Sequence, residues 1–415
     1  MSRCSRWPVL FLALALVTAA GAAEPHVRTG LDVLVRDGFK PLQGRRVGIV
    51  TNQTAVDAAG RWHIIDLLHG RPGFTVTALF SPEHGLRGTA DAQVDSSRDG
   101  KTGLPIHSLY GGTRKPTPEM LREVDILVFD IQDIGARFYT YITTLAYCME
   151  AAQACGKAVV VLDRPNPIGG MVVEGPVLAQ ALCGRFTGYF PIPTRHGMTV
   201  GELARLFNGH FRIGCRLEVV PMEGWMRGMD FEATGLPWVN PSPNMRSLSA
   251  AFCYPGLGAL ESTNLSVGRG TARPFELYGA PWMDGAKVCA ALNARGLAGV
   301  EFRPAVFTPE RVPGLPRYPY TGEACGGFEV VIRDRRSFRP LTAVLHVLQI
   351  LREVHGDAFQ AKGAPAMIGQ PDLADRLRRG ETPEAIQAGW AEGRAEFDAA
   401  RAACLLYPEG TPPRD

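Results

Sequence analysis

VDILVFDIQD, residues 124–133, is the stretch whose reading decides the fold. Ile126 to Phe129 is apolar without a break, and the run stops at the polar side chains of Asp130, Gln132 and Asp133. A strand that is apolar at successive positions has no wet face, so it belongs in a sheet covered on both sides. The flanking sequence repeats the pattern. Residues 46–50 (RVGIV) end in Thr51-Asn52-Gln53-Thr54, and residues 75–80 (TVTALF) end in Ser81-Pro82-Glu83-His84-Gly85. Residues 158–162 (AVVVL) end in Asp163-Arg164-Pro165-Asn166-Pro167, and 216–220 read as a further strand. Helices are predicted between them: over 61–69, from Thr117-Pro118-Glu119 onward, over 139–154, and after the Thr199-x-x-Glu202 capping box. Strands alternating with helices predict an α/β fold with a Rossmann-like parallel sheet. In such sheets ligands bind beyond the carboxyl ends of the strands, where the polar clusters fall.

Past about residue 245 the rhythm changes. Residues 234–281 are loop-rich, helices are expected over 286–294, 341–355 and 383–403, and strands over 300–307 and 327–333. This reads as a smaller α+β domain, so the expected division is 27–245 for a Rossmann-like catalytic domain and 246–415 for an auxiliary domain closing a cleft. The first 23 residues carry Arg3 and Arg6, then an apolar run over 9–17 and small residues over 18–23. That is the pattern of a secretory signal peptide, too short in its apolar part to span a bilayer. Export is therefore expected, with the periplasm as the compartment or secretion beyond it, and no membrane anchor.

The chain has 415 residues, 46% hydrophobic and 20% charged, which excludes disordered, collagenous and coiled-coil classes. Its net charge of +3 falls to +1 once Arg3 and Arg6 are removed, so no global field favours nucleic acid. Nine scattered cysteines form no zinc-type pair, and mostly free thiols are expected with one or two bridges at most. No dinucleotide fingerprint, phosphate-binding loop, nucleophile elbow or HExxH metal motif occurs, so neither cofactor nor metal is expected.

The candidates sit at strand ends and in polar loops. Glu83, on a turn stiffened by Pro82, is placed for general acid work, with His84 beside it. Asp130, Gln132, Asp133 and Arg137 follow the strongest strand, and Tyr139 is placed to stack on a sugar. Arg164 and Asn166 lie in the DRPNP loop, and Arg195 and His196 precede the capping box. Asn240 and Asn244 lie in one polar loop; Asn264, Arg269 and Arg273 lie in another. Each has an ordinary structural reading as a cap, an ion pair or core packing. From these residues alone the chain is an exported α/β enzyme for a polar, anionic small ligand. An amidase or esterase and a non-catalytic binding protein both remain open.

The same segments resemble a bacterial family of exo-β-N-acetylmuramidases, glycoside hydrolases formerly grouped as a domain of unknown function. The matching stretches include GRRVGIVTNQTAVDAAGR (44–61), ALFSPEHGLRG (78–88), VDILVFDIQDIGARFYTYITTL (124–145), VVVLDRPNPIGG (159–170), PIPTRHGMTVGELA (191–204), LPWVNPSPNM (236–245) and ESTNLSVGRGTARPFE (261–276). The resemblance implies release of N-acetylmuramic acid from the non-reducing end of muramoyl glycans, in a cleft between two domains. It implies that Glu83 leads the chemistry. Muramic acid carries a lactyl carboxylate that an arginine holds bidentately, and Arg137, Arg195, Arg246, Arg269 and Arg273 are the candidates. For a second carboxylate, Asp130 is the first choice, ahead of Asp133 and Glu261.

Overall fold

A computed structural model describes residues 27–86, 97–391 and 393–410. The expected signal peptide lies outside the described residues. The strands in chain order are β1 Arg46–Thr51, β2 Thr75–Ser81, β3 Ser97–Arg98, β4 Pro105–Ser108, β5 Ile126–Asp130, β6 Ala158–Leu162, β7 Glu174–Val177, β8 Pro193–Arg195, β9 Arg216–Val220, β10 Leu277–Ala280, β11 Val300–Phe307 and β12 Cys325–Ile332. The main helices are α1 Gly30–Arg36, α2 Ile64–Leu68, α3 Tyr141–Ala154, α4 Val200–Gly209, α5 Leu248–Leu257, α6 Gly285–Asn293 and α7 Pro340–His355.

The central sheet has seven strands in the order β3-β4-β2-β1-β5-β6-β9, all parallel except β3. With β3 set aside, the third, second and first strands are followed by the fourth, fifth and sixth. This is the doubly wound Rossmann order. The period-2 alternation of strands sorts their side chains cleanly. Leu127, Phe129, Val159 and Val161 enter the core beneath α3 and α4. Ile126, Val128, Val160 and Leu162 enter the core beneath α1 and α2. Capping boxes open α1 at Thr29/Asp32 and α4 at Thr199/Glu202.

The C-terminal part carries the antiparallel sheet β10-β12-β11, with α6 packed on it and α7 packed against α6 and α5. Three expectations change here and upstream. The helix from Thr117 is a turn, with Leu121 N on Thr117 O followed by tighter bonds, because the chain enters β5 only a few residues later. The final helix over 383–403 breaks into Pro383–Ala388 and Arg394–Ala402, with Gly393 left-handed at φ 74° between them. The loop-rich stretch contains α5, which sequence periodicity misses because nearly all its residues are buried and no polar face remains. Helix α5 lies so close to α7 that a Cβ on Gly256 would stand 1.9 Å from Pro340 O. All eight described cysteines are free, Cys148 and Cys155 among them.

The end of the chain returns to the first domain. Tyr407 donates its hydroxyl hydrogen to Asp163 Oδ2 at 2.6 Å and accepts from Met222 N at 2.9 Å. Thr199 Oγ1 and Gly201 N also donate to Asp163, both at 2.7 Å. Tyr407→Phe leaves Met222 N without its acceptor and takes one donor from the buried Asp163, so we expect it to cost about 2 kcal/mol. Urea unfolding reads this as a lowered midpoint; a wild-type midpoint would show the C-terminal tether to be dispensable.

Candidate active site

The winding of the sheet reverses between β1 and β5, which opens a crevice beyond their carboxyl ends. Thr51 and Asp130 are register partners at this edge. Asn52 and Gln53 continue from β1, and Ile131 to Asp133 from β5. On the other side of β1, β2 ends at Ser81 and leads into Glu83.

Glu83 stands on a turn in which Gly85 N donates to Pro82 O at 3.0 Å. His84 and Gly85 are both left-handed, at φ 71° and 75°. A histidine in that conformation is unusual, and the following glycine relaxes the same constraint. Glu83 is half-buried, and Thr140, at the start of α3, donates its hydroxyl to Oε2. Tyr141 lies beside it: burial first, and the Glu83 charge next, push its hydroxyl pKa upward. The Tyr141 hydroxyl donates to Pro241 O at 2.5 Å, which draws the 240–246 loop to the site. Gln53 Nε2 donates to Asn240 O at 2.7 Å and reinforces that closure. Tyr139 packs edge-on against Tyr141 at 5.0 Å and Tyr254 at 5.7 Å, so it is a wall within the aromatic core.

Three buried polar atoms at these loops have no hydrogen-bond partner among the described residues: Ser81 Oγ, Asp133 Oδ1 and His196 Nε2. Buried polar groups are normally satisfied, so these atoms retain hydrogen-bonding capacity that water or a polar ligand can take up. Asp133 Oδ2 accepts from Gly135 N at 2.7 Å and lies 3.8 Å from His196 Nε2. His196 Nδ1 accepts from Met198 N at 3.2 Å, which fixes the ring behind Asp133.

Asp130 is engaged elsewhere. Arg164 forks onto it, Nε to Oδ1 and Nη2 to Oδ2 at 3.0 Å, with Asp130 0% and Arg164 5% exposed. Arg164 also donates to Val56 O at 3.0 Å. The first choice for a second carboxylate is thus a structural ion pair tying the ends of β5 and β6. Glu261, the third choice, pairs with Arg269 Nη1 at 2.7 Å. Gln132 and Asn166 also serve the backbone: Gln132 Nε2 donates to Asp133 O and Pro165 O, both at 2.7 Å, and Asn166 Nδ2 donates to Met198 O at 3.0 Å. They hold the strand-end loops in place.

Two family models divide the chain: Exo-beta-N-acetylmuramidase NamZ, N-terminal, over residues 47–249, and its C-terminal counterpart over 252–407. This chain belongs to the exo-β-N-acetylmuramidase NamZ family. A Bacillus subtilis (strain 168) relative, the peptidoglycan beta-N-acetylmuramidase NamZ, is 44% identical over 391 residues, spanning 93% of this chain and 92% of that protein. Two crystal structures of DUF1343 family proteins from Bacteroides fragilis NCTC 9343 share the fold. One has a TM-score of 0.83 at 37% identity, the other 0.74 at 31%, each covering 92% of this chain and 99% of the other. The NamZ family is one of glycoside hydrolases.

Within this NamZ chain the arginines proposed from sequence divide by environment. Arg273 pairs with Glu276 and Glu329, and Arg269 with Glu261. Arg137 and Arg195 are buried with no carboxylate bond among the described residues. Arg137 Nη2 donates to Met367 O at the seam with the C-terminal part, and Arg195 Nη2 to Ile168 O, each at 2.7 Å. Burial pulls each guanidinium down to about 10. Arg246 alone of the set is exposed without an acid partner among the described residues, resting on Pro243 O at 3.0 Å and Thr271 O at 3.2 Å. Asn244 is buried against the Tyr318 hydroxyl at 3.2 Å. Asn240 is exposed, with Oδ1 accepting from Trp238 Nε1 at 3.1 Å. Asn264 is spent on Ala358 O and Gln360 N, each at 2.8 Å.

Sequence reasoning passed over Asn52, Ser81 and Thr140 as site residues. All three lie at strand or helix ends already read correctly. Their relevance depends on β1, β2 and β5 being neighbours, which the strand order alone supplies.

Proposed function

We propose that this NamZ-family chain is an exo-acting glycoside hydrolase releasing N-acetylmuramic acid from the non-reducing end of peptidoglycan fragments, with Glu83 as general acid. The observation that supports the reading is Glu83 itself: a carboxyl on a turn with left-handed residues at the carboxyl end of β2, bonded to Thr140 and close enough to Tyr141 for its charge to raise that hydroxyl's pKa. Glu83 gives its proton to the glycosidic oxygen as the bond to the anomeric carbon breaks, so the leaving sugar departs as a neutral alcohol; a water oxygen takes its place on the anomeric carbon, and the proton that water loses returns to the carboxylates. Positive charge developing at the anomeric carbon calls for a second carboxylate. Asp133 supplies it, since Oδ2 is held by Gly135 N while Oδ1 is unspent, whereas Asp130 and Glu261 are neutralised by arginines. Arg246 takes the lactyl carboxylate, because it lies on the loop drawn in by Tyr141 and has no acid of its own. Residues 1–23 direct export, which brings the enzyme to its wall-derived substrate in the periplasm or outside the cell.

The test is chromophore release from a nitrophenyl N-acetylmuramide beside the matching N-acetylglucosaminide. Turnover of the muramide alone is expected. Asp133→Asn keeps an oxygen for Gly135 N, so the protein should fold, and kcat should fall about a hundredfold with little change in KM. Near-normal turnover in that variant would remove Asp133 from the chemistry. Tight muropeptide binding without turnover by the wild type would make this a binding protein.

A further inference from the structure

Strand β4 lies next to β2 in the sheet, and Ser108 is the register partner of Ser81. Leu109 N donates to Ser81 O at 2.8 Å, so the two strand ends are bonded together. Glu83 stands two residues beyond Ser81, and Tyr110 stands two residues beyond Ser108. Tyr110 is therefore on the same rim as Glu83, one strand further out.

Tyr110 does not stand alone. Its ring stacks on Phe186, with centroids 5.8 Å apart and planes at 27°. Phe186 in turn stacks on Tyr147 at 6.3 Å and 13°. Arg114 lays its guanidinium over Phe186 at 4.3 Å and over Tyr110 at 5.7 Å. The three rings are half-buried and Arg114 is exposed, with no carboxylate partner among the described residues. The aromatic residues that wall the site, Tyr139 and Tyr141, are fully packed by contrast. A wet aromatic array carrying an unneutralised guanidinium is suited to a ligand with an apolar face and oxygen acceptors at its edge. A hexosamine ring has both: axial C–H bonds on one face, and hydroxyl and acetamido oxygens around the rim.

The array also has a direction. Thr140, which holds Glu83, opens α3, and Tyr147 lies seven residues further along that helix, about 10 Å down its axis. The rings therefore lead away from Glu83 along the flank of the domain. An exo-acting enzyme encloses one sugar and must let the remainder of the substrate run out on one side.

We infer that Tyr110, Phe186 and Arg114 form the subsite for the leaving-group sugar, the ring immediately beyond the bond that Glu83 protonates. This rests on the muramidase reading above. The experiment compares two substrates: the disaccharide of N-acetylmuramic acid on N-acetylglucosamine, and methyl β-N-acetylmuramide, whose leaving group has no ring. Free N-acetylmuramic acid is quantified for wild type, Phe186→Ala, Phe186→Tyr and Arg114→Ala. KM for the disaccharide should rise about tenfold in Phe186→Ala and about threefold in Arg114→Ala. The tyrosine variant should stay near wild type, and turnover of the methyl glycoside should move less than about twofold in all of them. Unchanged KM for the disaccharide, or equal losses on both substrates, overturns the subsite. Should Phe186→Ala fail to fold, Arg114→Ala on the surface decides alone. A wild type inactive on both substrates strikes the muramidase reading itself, a result distinct from an active wild type whose variants are unaltered.

Discussion

Glu83→Gln is expected to lower kcat by about a thousandfold on a muramoyl disaccharide while leaving the melting curve in place. Gln is isosteric and keeps an oxygen to accept the Thr140 hydroxyl, so the turn and its left-handed His84 persist. What disappears is the transferable proton. The loss should depend on the leaving group. A sugar alkoxide needs protonation as it departs, whereas a nitrophenolate departs with little help. The variant should therefore retain about tenfold more of its activity on the nitrophenyl muramide than on the disaccharide. Steady-state kinetics on both substrates reads the difference. An equal loss on both would assign Glu83 to substrate positioning, and retained turnover would remove it from the mechanism.

Asp130→Asn should do the opposite, damaging stability and sparing chemistry. Asp130 and Arg164 are both buried and joined by two hydrogen bonds. Asn keeps one oxygen for the guanidinium, but its amide N–H2 meets the other guanidinium N–H, and the buried positive charge loses its counter-ion. Breaking a buried pair from one side costs about 3–5 kcal/mol. The urea midpoint should drop accordingly, while kcat per folded molecule stays within about threefold of wild type. The double variant Asp130→Asn/Arg164→Met should recover part of the loss, since no uncompensated charge then remains. A variant of full stability with lost turnover would falsify this assignment and return Asp130 to the reaction.

Two aspartates three residues apart in the DIQD segment thus have different surroundings, and nothing in their spacing separates them. Asp130 faces Arg164 because β5 and β6 are adjacent in the sheet. Asp133 lies past the strand end, where Gly135 N holds one oxygen, His196 Nε2 stands 3.8 Å from it, and the other oxygen is unspent. The same holds for the arginines. In sequence Arg137, Arg246 and Arg273 are equivalent cations in polar loops; the fold buries the first, exposes the second and pairs the third with two glutamates.

By itself the sequence determined what local physics controls. Unbroken apolar runs of strand length specify a sheet covered on both faces, and the observed alternation of core assignments along β5 and β6 follows from that. Thr199 and Glu202 specify the start of α4 within a single turn. The polar clusters fall at strand ends, and Glu83 stands out on its Pro-x-x-Gly turn. Only the tertiary structure decided which clusters face one another, because strand order is set by long-range packing. It bonded Thr140 to Glu83, and it brought Tyr110 to the same rim through the pairing of β2 with β4. It also decided which charges are neutralised, since ion pairing depends on distances across strands that are far apart in the chain.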